Sequence, residues 1–511
     1  VKAGAERGNA AAERVNVHAL CVKAGGLRAN VGAECGNAPA ERGNAPGARK
    51  STASIRLHPV RIAWYSPLPP MKSGIADYSA ELLPALAEHC EIELIVDEGF
   101  RPAGDLETRF PVHGARALPG LLARGRFDAV LYQLGNNRDY HAAIYGSLLE
   151  HPGVVVLHEY VVHHLVRDLT LFAGEPEAYV REMRYAYGKT GEAMARRCVA
   201  TGVPLDPWSY PLFERAVDAS RGVIVHNRFT RDRVLASRPL ARIATVPHHL
   251  SLEPQTISPE EARRELGIEP GTFAVATFGF LTASKRPEVL LRAFARLRKE
   301  VPRARLLIVG EVSPHFDFAR IFTPELREGV TVTGRLELDR FLIYMRACDV
   351  AVNLRHPTAG ETSGTVIRLL GMGKPLIVND TGSFAEIPED AAARVPLDDT
   401  EEDLLVAYLR LLAGDEPLRR RMGENARRHM EVHHSLAGSA RAYADFLRET
   451  VETGALPFRA VPPLAAYPPE DLLSDLVREV SAEMVDLGIG EGDDDLLSEV
   501  AAAVVELDLD R

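Results

Sequence analysis

The feature that most limits the fold is a recurring pattern of short, almost wholly apolar runs separated by longer amphipathic stretches. RIAWYS (61–66), EIELIV (91–96), AVLYQL (129–134), VVVLH (154–158) and GVIVH (222–226) form a first series. FAVATFGF (273–280), RLLIVG (305–310), GVTVTG (329–334), DVAVNL (349–354) and 375–379 form a second. A run apolar at successive positions suits a strand covered on both faces, which in practice means a parallel sheet flanked by helices. The stretch 75–89 supplies such a helix, with Leu82, Leu83, Leu86 and Ala87 on one stripe, and 287–300, 337–346, 401–413 and 416–431 supply others. The expected fold class is therefore α/β, two Rossmann-like doubly wound domains facing each other across a cleft. The polar, proline-containing segment 245–261 is the hinge between them.

Bounds follow from composition. Residues 58–248 make the first domain and 249–432 the second, leaving an arm at 1–57 and a tail at 456–511 of the 511 residues. The arm repeats Ala, Gly, Asn, Arg and Pro without aliphatic periodicity, so disorder is expected. It lacks the apolar core of a secretory signal. The net charge of −11 resides in the tail, which holds 14 Asp and Glu against 3 Arg; the remainder is balanced. A balanced body without a basic stripe argues against a nucleic-acid partner. The tail reads as two acidic amphipathic helices that dock on the body or contact a protein partner, since anionic lipid would repel them. Five scattered cysteines without paired spacing suggest reduced thiols and a cytoplasmic setting. Residues 171–218 interrupt the alternation with helices rich in aromatics (Tyr179, Tyr185, Tyr187, Trp208, Tyr210), suited to packing or to a lid on the acceptor side.

In open α/β sheets ligands bind beyond the carboxyl ends of the strands. On the first rim stand Lys72-Ser73-Gly74, Gly135-Asn136-Asn137 and His158-Glu159. Each cluster alone reads equally as a tight turn or an edge residue; three on one rim point to a binding edge. No GxGxxG fingerprint is present. On the second rim the stretch 354–390 carries Glu361 immediately before a helix opening at Thr362 or Ser363. A loop closing on a helix start directs free N–H groups at an anion, as for a phosphate. A carboxylate beside that anion needs another partner, and sugar hydroxyls are the obvious one. Lys285, one of only 8 lysines, lies in a strand-to-helix loop of the same rim and reads as a point charge on a diphosphate. Gly334-Arg335 offers a backbone ledge for a nucleotide base.

Taken in order, SGIADYS (73–79), YQLGNN (132–137), PGVVVLHEY (152–160), YGKTG (187–191), GVIVH, FGF (278–280) followed by Lys285, LLIVG (306–310), RHPTAGETSG (355–364), GKPLIV (373–378) and AEIP (385–388) resemble a retaining glycosyltransferase of the GT-B fold, family four, in the branch of bacterial glycan and polysaccharide assembly. The resemblance spans about 58–450. It implies transfer of a sugar from a UDP- or GDP-sugar to a glycan or lipid-linked acceptor hydroxyl, with retention and without a bound metal or other cofactor. It also implies that a helix at 433–451 returns to the first domain, and allows a peripheral position at the inner membrane face. Carried over by motif, Lys285 holds the diphosphate, Glu361 the donor sugar and His158 the transferring sugar. Gly74, Gly279, Gly334, Arg335, Thr362, Ser363, Gly364 and Arg368 fall on the donor, and Asp77, Gln133 and Asn136 on the acceptor side. Two positions depart from the family pattern. Phe280 stands where relatives carry Arg, and the second glutamate that grips the ribose is missing, its place falling on Leu369 when counted on from Glu361 and on Arg368 when counted back from Gly373-Lys374-Pro375; Arg368 is the candidate replacement charge. The missing second glutamate leaves a second class open, a catalytically impaired GT-B protein that binds a sugar nucleotide or serves assembly.

Overall fold

The structure, a computed structural model, describes residues 59–251, 257–459 and 461. The arm, the middle of the hinge and the acidic tail lie outside the described residues, so the expectations for them are not addressed.

Two parallel sheets account for the strands. In the first, β1 (Val60–Tyr65), β2 (Cys90–Val96), β3 (Val112–Gly114), β4 (Ala129–Leu134), β5 (Val154–Leu157), β6 (Gly222–Val225) and β7 (Ile243–Thr245) run in the order β3-β2-β1-β4-β5-β6-β7. In the second, β8 (Ala274–Phe278), β9 (Arg305–Val309), β10 (Val330–Val332), β11 (Val350–Asn353), β12 (Leu376–Asn379) and β13 (Ala392–Val395) run β10-β9-β8-β11-β12-β13. In each sheet the chain leaves a central strand first one way and then the other. The resulting crevice lies at the carboxyl ends of the central strands.

The apolar runs are explained by burial on both faces. Tyr65, Val130, Tyr132, Val155 and Val223 pack under Ile144, Tyr145 and Leu148, while Ile62, Trp64, Leu131, Val156 and Ile224 pack under Tyr78, Leu82, Leu83 and Leu86. The second sheet repeats the arrangement, with Val366, Ile367, Leu370 and Met430 on one face and Leu290, Leu291, Phe294 and Leu409 on the other. Helix Leu436–Glu452 packs on the first sheet, where the Tyr443 and Tyr78 hydroxyls stand 2.9 Å apart. A Cβ on Gly222 would meet the Phe446 ring at 2.9 Å, which is why the strand under that helix begins with glycine.

The interruption is mostly helix Pro176–Thr201, which kinks at Tyr187 and Gly188. Its aromatics are packing: Tyr179 bonds His163, Tyr185 bonds Asp218, and the Tyr187 and Tyr210 rings are 5.3 Å apart. Among the described residues no helix is long and apolar enough to cross a membrane.

Candidate active site

Two loops at the carboxyl ends of the second sheet converge. The turn after β8 holds Gly279 at φ +88°, and a Cβ there would sit 2.8 Å from the Lys285 Nζ and 3.7 Å from the Thr365 hydroxyl. Lys285 ends a 3-10 turn at Ala283–Lys285 and donates to the Phe278 carbonyl. The loop after β11 is fastened to that turn by His356 N donating to Ser284 O at 2.8 Å. Arg355 in this loop places Nε 3.2 Å from the Glu361 Oε1, out of line for a hydrogen bond, so the contact is an ion pair. The Glu361 carboxylate folds back on its own loop and accepts from Ala359 N at 2.9 Å and Thr358 Oγ1 at 3.1 Å. Lys285, Glu361 and Arg355 thus lie within electrostatic reach of one another. Burial, and then Arg355, push the Lys285 amine down to about 7, and Glu361 partly offsets this.

Ser363 N-caps helix Gly364–Gly371, accepting from Val366 N. The helix turns Thr365 and Arg368 toward the cleft and Val366, Ile367 and Leu370 into the core. Its first amides stand where the dipole favours an anion. Leu369, at the place of the missing second glutamate, is buried among apolar neighbours.

The facing rim comes from the first sheet. Gly74 begins helix Gly74–Leu86 after the Ser73 cap, and nothing lies within 4 Å of the Cβ it lacks. Asp77 on this helix is pushed up chiefly by burial; Arg368 and Arg335 oppose the shift and Glu81 adds to it. His158, beyond β5, pairs through Nε2 with the Gln133 Oε1 at 2.7 Å. Burial, reinforced by His226, His248, His141 and His249, holds it well below its usual value, so the ring is neutral. Its edge meets the Tyr78 ring, around which His226, His248 and His249 also gather. Glu159 is pushed up to about 8 by burial and by Glu361 across the cleft, against the Asn136 backbone amide and Arg355.

Several residues expected on the site have other duties. Gln133 is fully buried beneath His158 rather than open on the acceptor side. The Asn136 side chain is spent on His164 Nδ1 at 2.8 Å and Leu165 N at 3.0 Å, holding helix His163–Leu169; only its backbone amide faces Glu159. Arg368 pairs with Glu81 of the opposite half, so its charge is already matched before any diphosphate arrives. The Thr362 hydroxyl accepts from Asn227. Gly334 takes φ +70° with open space at its missing Cβ, and Arg335 lies 4.0 Å from Glu311. Gly364 has only Arg368 and His248 near its missing Cβ. Arg355 was not among the expected site residues, and Glu159 was expected on the rim without a role of its own. The sequence signal for Arg355 is its place in the same stretch as Glu361; that for Glu159 is its adjacency to His158.

This architecture, two parallel Rossmann-like sheets with their strand ends facing across a crevice, is the GT-B fold. Residues 258–429 match the family model described as "Glycosyl transferases group 1". Sucrose-phosphate synthase from Thermosynechococcus elongatus superposes with TM-score 0.56 and 16% identity, covering 77% of this chain and 100% of that one. The Anabaena protein Alr3699/HepE, in complex with UDP and glucose, gives TM-score 0.53 and 14% identity over 76% of this chain and 100% of that one. The D-inositol 3-phosphate glycosyltransferase of Nocardia farcinica is 31% identical over 251 residues, 46% of this chain and 55% of that protein. The chain spans about half or less of the first curated relatives it matches. The chain has the GT-B fold, and residues 258–429 of its second domain are the part that matches the glycosyl transferases group 1 model.

Proposed function

We propose that the protein is a retaining glycosyltransferase that moves a sugar from a UDP- or GDP-sugar to a hydroxyl of a glycan or lipid-linked acceptor. What supports it is that Lys285, Arg355 and Glu361 lie within electrostatic reach of one another, and Glu159 of the first half within reach of Arg355 and Glu361. Two cations and helix-end amides suit a pyrophosphate, and the carboxylate suits the hydroxyls of the attached sugar. The relative from Nocardia farcinica and the UDP-bound Anabaena neighbour support a nucleotide-sugar donor.

In this reading the second domain binds the donor. As the glycosidic bond lengthens, negative charge grows on the diphosphate while the sugar becomes oxocarbenium-like. Groups aimed at the diphosphate therefore favour the transition state over the ground state. Lys285 and Arg355 supply that stabilisation from the protein's own charges, without a metal. No protein side chain attacks the sugar; the acceptor enters on the departing face and its proton passes to the diphosphate. Neutral His158 and protonated Glu159 line the transfer site without adding charge to it.

The test is turnover of UDP-glucose and GDP-mannose with a panel of hydroxyl acceptors, followed by anomeric analysis of the product. A retained anomer with no trappable glycosyl-enzyme adduct is expected; inversion or a covalent adduct would overturn the mechanism. The impaired-binder reading is favoured by one observation, Leu369 in the core, which leaves no carboxylate at the ribose position. It predicts nucleotide binding with no turnover for any acceptor.

A further inference from the structure

Within the loop that carries Glu361, the carbonyls of Ala359 and Gly360 and the Thr362 hydroxyl take their hydrogen bonds from the opposite half. Tyr160 N, on the first half, donates to Ala359 O at 2.9 Å. Asn227 Nδ2 donates to Gly360 O at 2.8 Å and to Thr362 Oγ1 at 2.9 Å, and Thr230 Oγ1 donates to Gly360 O at 3.0 Å. The Asn227 amide has only one possible orientation. Its Oδ1 accepts from Thr230 N at 2.8 Å, a group that can only donate, and Gly360 O can only accept. Asn227 is 6% exposed, so these bonds are shielded from water. Gly360, at φ +77°, fits because a Cβ would come 2.6 Å from Thr230 Oγ1 and 2.8 Å from the Tyr160 ring. From its own half the loop is held at Glu361 by Ser383 Oγ donating to the carbonyl at 2.7 Å and by the Arg355, Ala359 and Thr358 contacts to the carboxylate.

We propose that Asn227 is a positioning residue that makes the order of the Glu361 loop conditional on closure of the two halves. When they part, Gly360 O and Thr362 Oγ1 lose their donors together, and the carboxylate loses the frame that aims it. With the halves together, Glu386 of the second domain caps helix Arg228–Ser237, accepting from Phe229 N at 2.8 Å and Arg228 N at 3.1 Å. The same helix start therefore holds both ends of the latch. The catalytic meaning of the device rests on the functional reading above; the structural coupling does not.

The informative substitution is Asn227→Asp. It keeps the cap on Thr230 N, because Asp caps helices as well as Asn, and removes both donated bonds. Hydrogen exchange in the full chain is expected to quicken by ~10-fold or more over 355–365, and not in β8 or β12, given the worth of two buried hydrogen bonds. Thr230→Val, which loses one bond and keeps the cap, gives a smaller rise over the same segment and serves if Asn227→Asp folds poorly. Exchange over 355–365 unchanged in both variants would overturn the proposal. UDP and UDP-glucose titrations separate the two claims. A ~10-fold loss of UDP-glucose affinity with UDP affinity kept is expected if Glu361 grips the sugar. Quickened exchange with an unchanged UDP-glucose to UDP ratio would uphold the latch and sink the assignment of Glu361.

Discussion

Lys285 with its amine near 7 makes donor binding a proton-coupled event. In the empty cleft its charged form is disfavoured by lost hydration and by Arg355. A pyrophosphate replaces lost hydration with opposite charge and draws the amine back toward the ordinary lysine range. The uptake follows from the ionised fraction: ~0.1 proton at pH 6, ~0.5 at pH 7 and ~0.9 at pH 8. Donor affinity should fall by up to ~10-fold per pH unit above 7, about 1.4 kcal/mol each, because charging the lysine consumes binding energy. Calorimetric titration with UDP-glucose at pH 8, in buffers of different ionisation enthalpy, reads the uptake directly; its pyrophosphate has no oxygen titrating there. Glu159, near 8, also gains protons when an anion arrives, so the comparison belongs in a Glu159→Gln background. There the buffer slope should be near 0.9 with Lys285 present and near zero in Lys285→Met, by the same linkage. A slope of zero with Lys285 present, or an unchanged one in Lys285→Met, would refute the placement of this amine on the diphosphate.

Arg355→Met should lower kcat/KM by ~10²-fold, the scale of losing one preorganised charge at a developing anion, and should shrink the uptake at pH 8 by releasing Lys285 from a neighbouring cation; an unchanged rate removes Arg355 from the site. For Glu159 the folded carboxyl titrates above the unfolded one, so its stability contribution is whole below the unfolded value near 4.5 and is lost as pH climbs through about 8. Glu159→Gln should therefore gain on wild type by on the order of 3 kcal/mol between pH 5 and 8 in denaturant unfolding, and parallel pH profiles would contradict the burial of this group. Asp218 is fully buried and takes bonds from Arg238 at 2.7 and 2.9 Å and from Tyr185 at 2.7 Å. Arg238→Met leaves that carboxylate without its bidentate partner and should cost ~3–5 kcal/mol, and a loss below ~1 kcal/mol in thermal unfolding would show the pair to be dispensable.

The strands that the sequence announces are the central ones and one edge strand, β10. β1, β4, β5, β6, β8, β11 and β12 are buried on both faces, so their residues are apolar at successive positions and stand out against any flanking helix. The edge strands β3, β7 and β13 did not stand out. β3 is Val112-His113-Gly114, half-buried throughout, and a three-residue edge has no periodicity to read. Lys285 and Glu361 were legible for a related reason, since each lies in a short loop whose neighbours make the motif. Asn227 was not, because its partners Gly360 and Thr362 are 133 and 135 residues away and nothing local distinguishes it from an ordinary helix cap. Gln133 and Asn136 have protein partners that no local pattern reveals. A polar residue at a strand end looks like a ligand contact until the fold supplies His158, His164 and Leu165 as its partners.

The two departures from the family pattern have a common structural consequence. Phe280, where relatives carry Arg, is half exposed at the rim and puts no charge near Lys285, and Leu369 turns into the core. The second cation at the site comes instead from Arg355, which approaches from the Glu361 loop itself and is held by ion pairing to Glu361. A cation on that loop travels with it, and the loop is bonded to the first half through Tyr160, Asn227 and Thr230. Closure would then bring the sugar-facing carboxylate and the diphosphate-facing guanidinium into register in one step, whereas a cation rooted beside β8 would be in place with the cleft open. Under the proposed function, part of the charge that stabilises the leaving group then sits on the element that closure orders rather than on the static sheet edge.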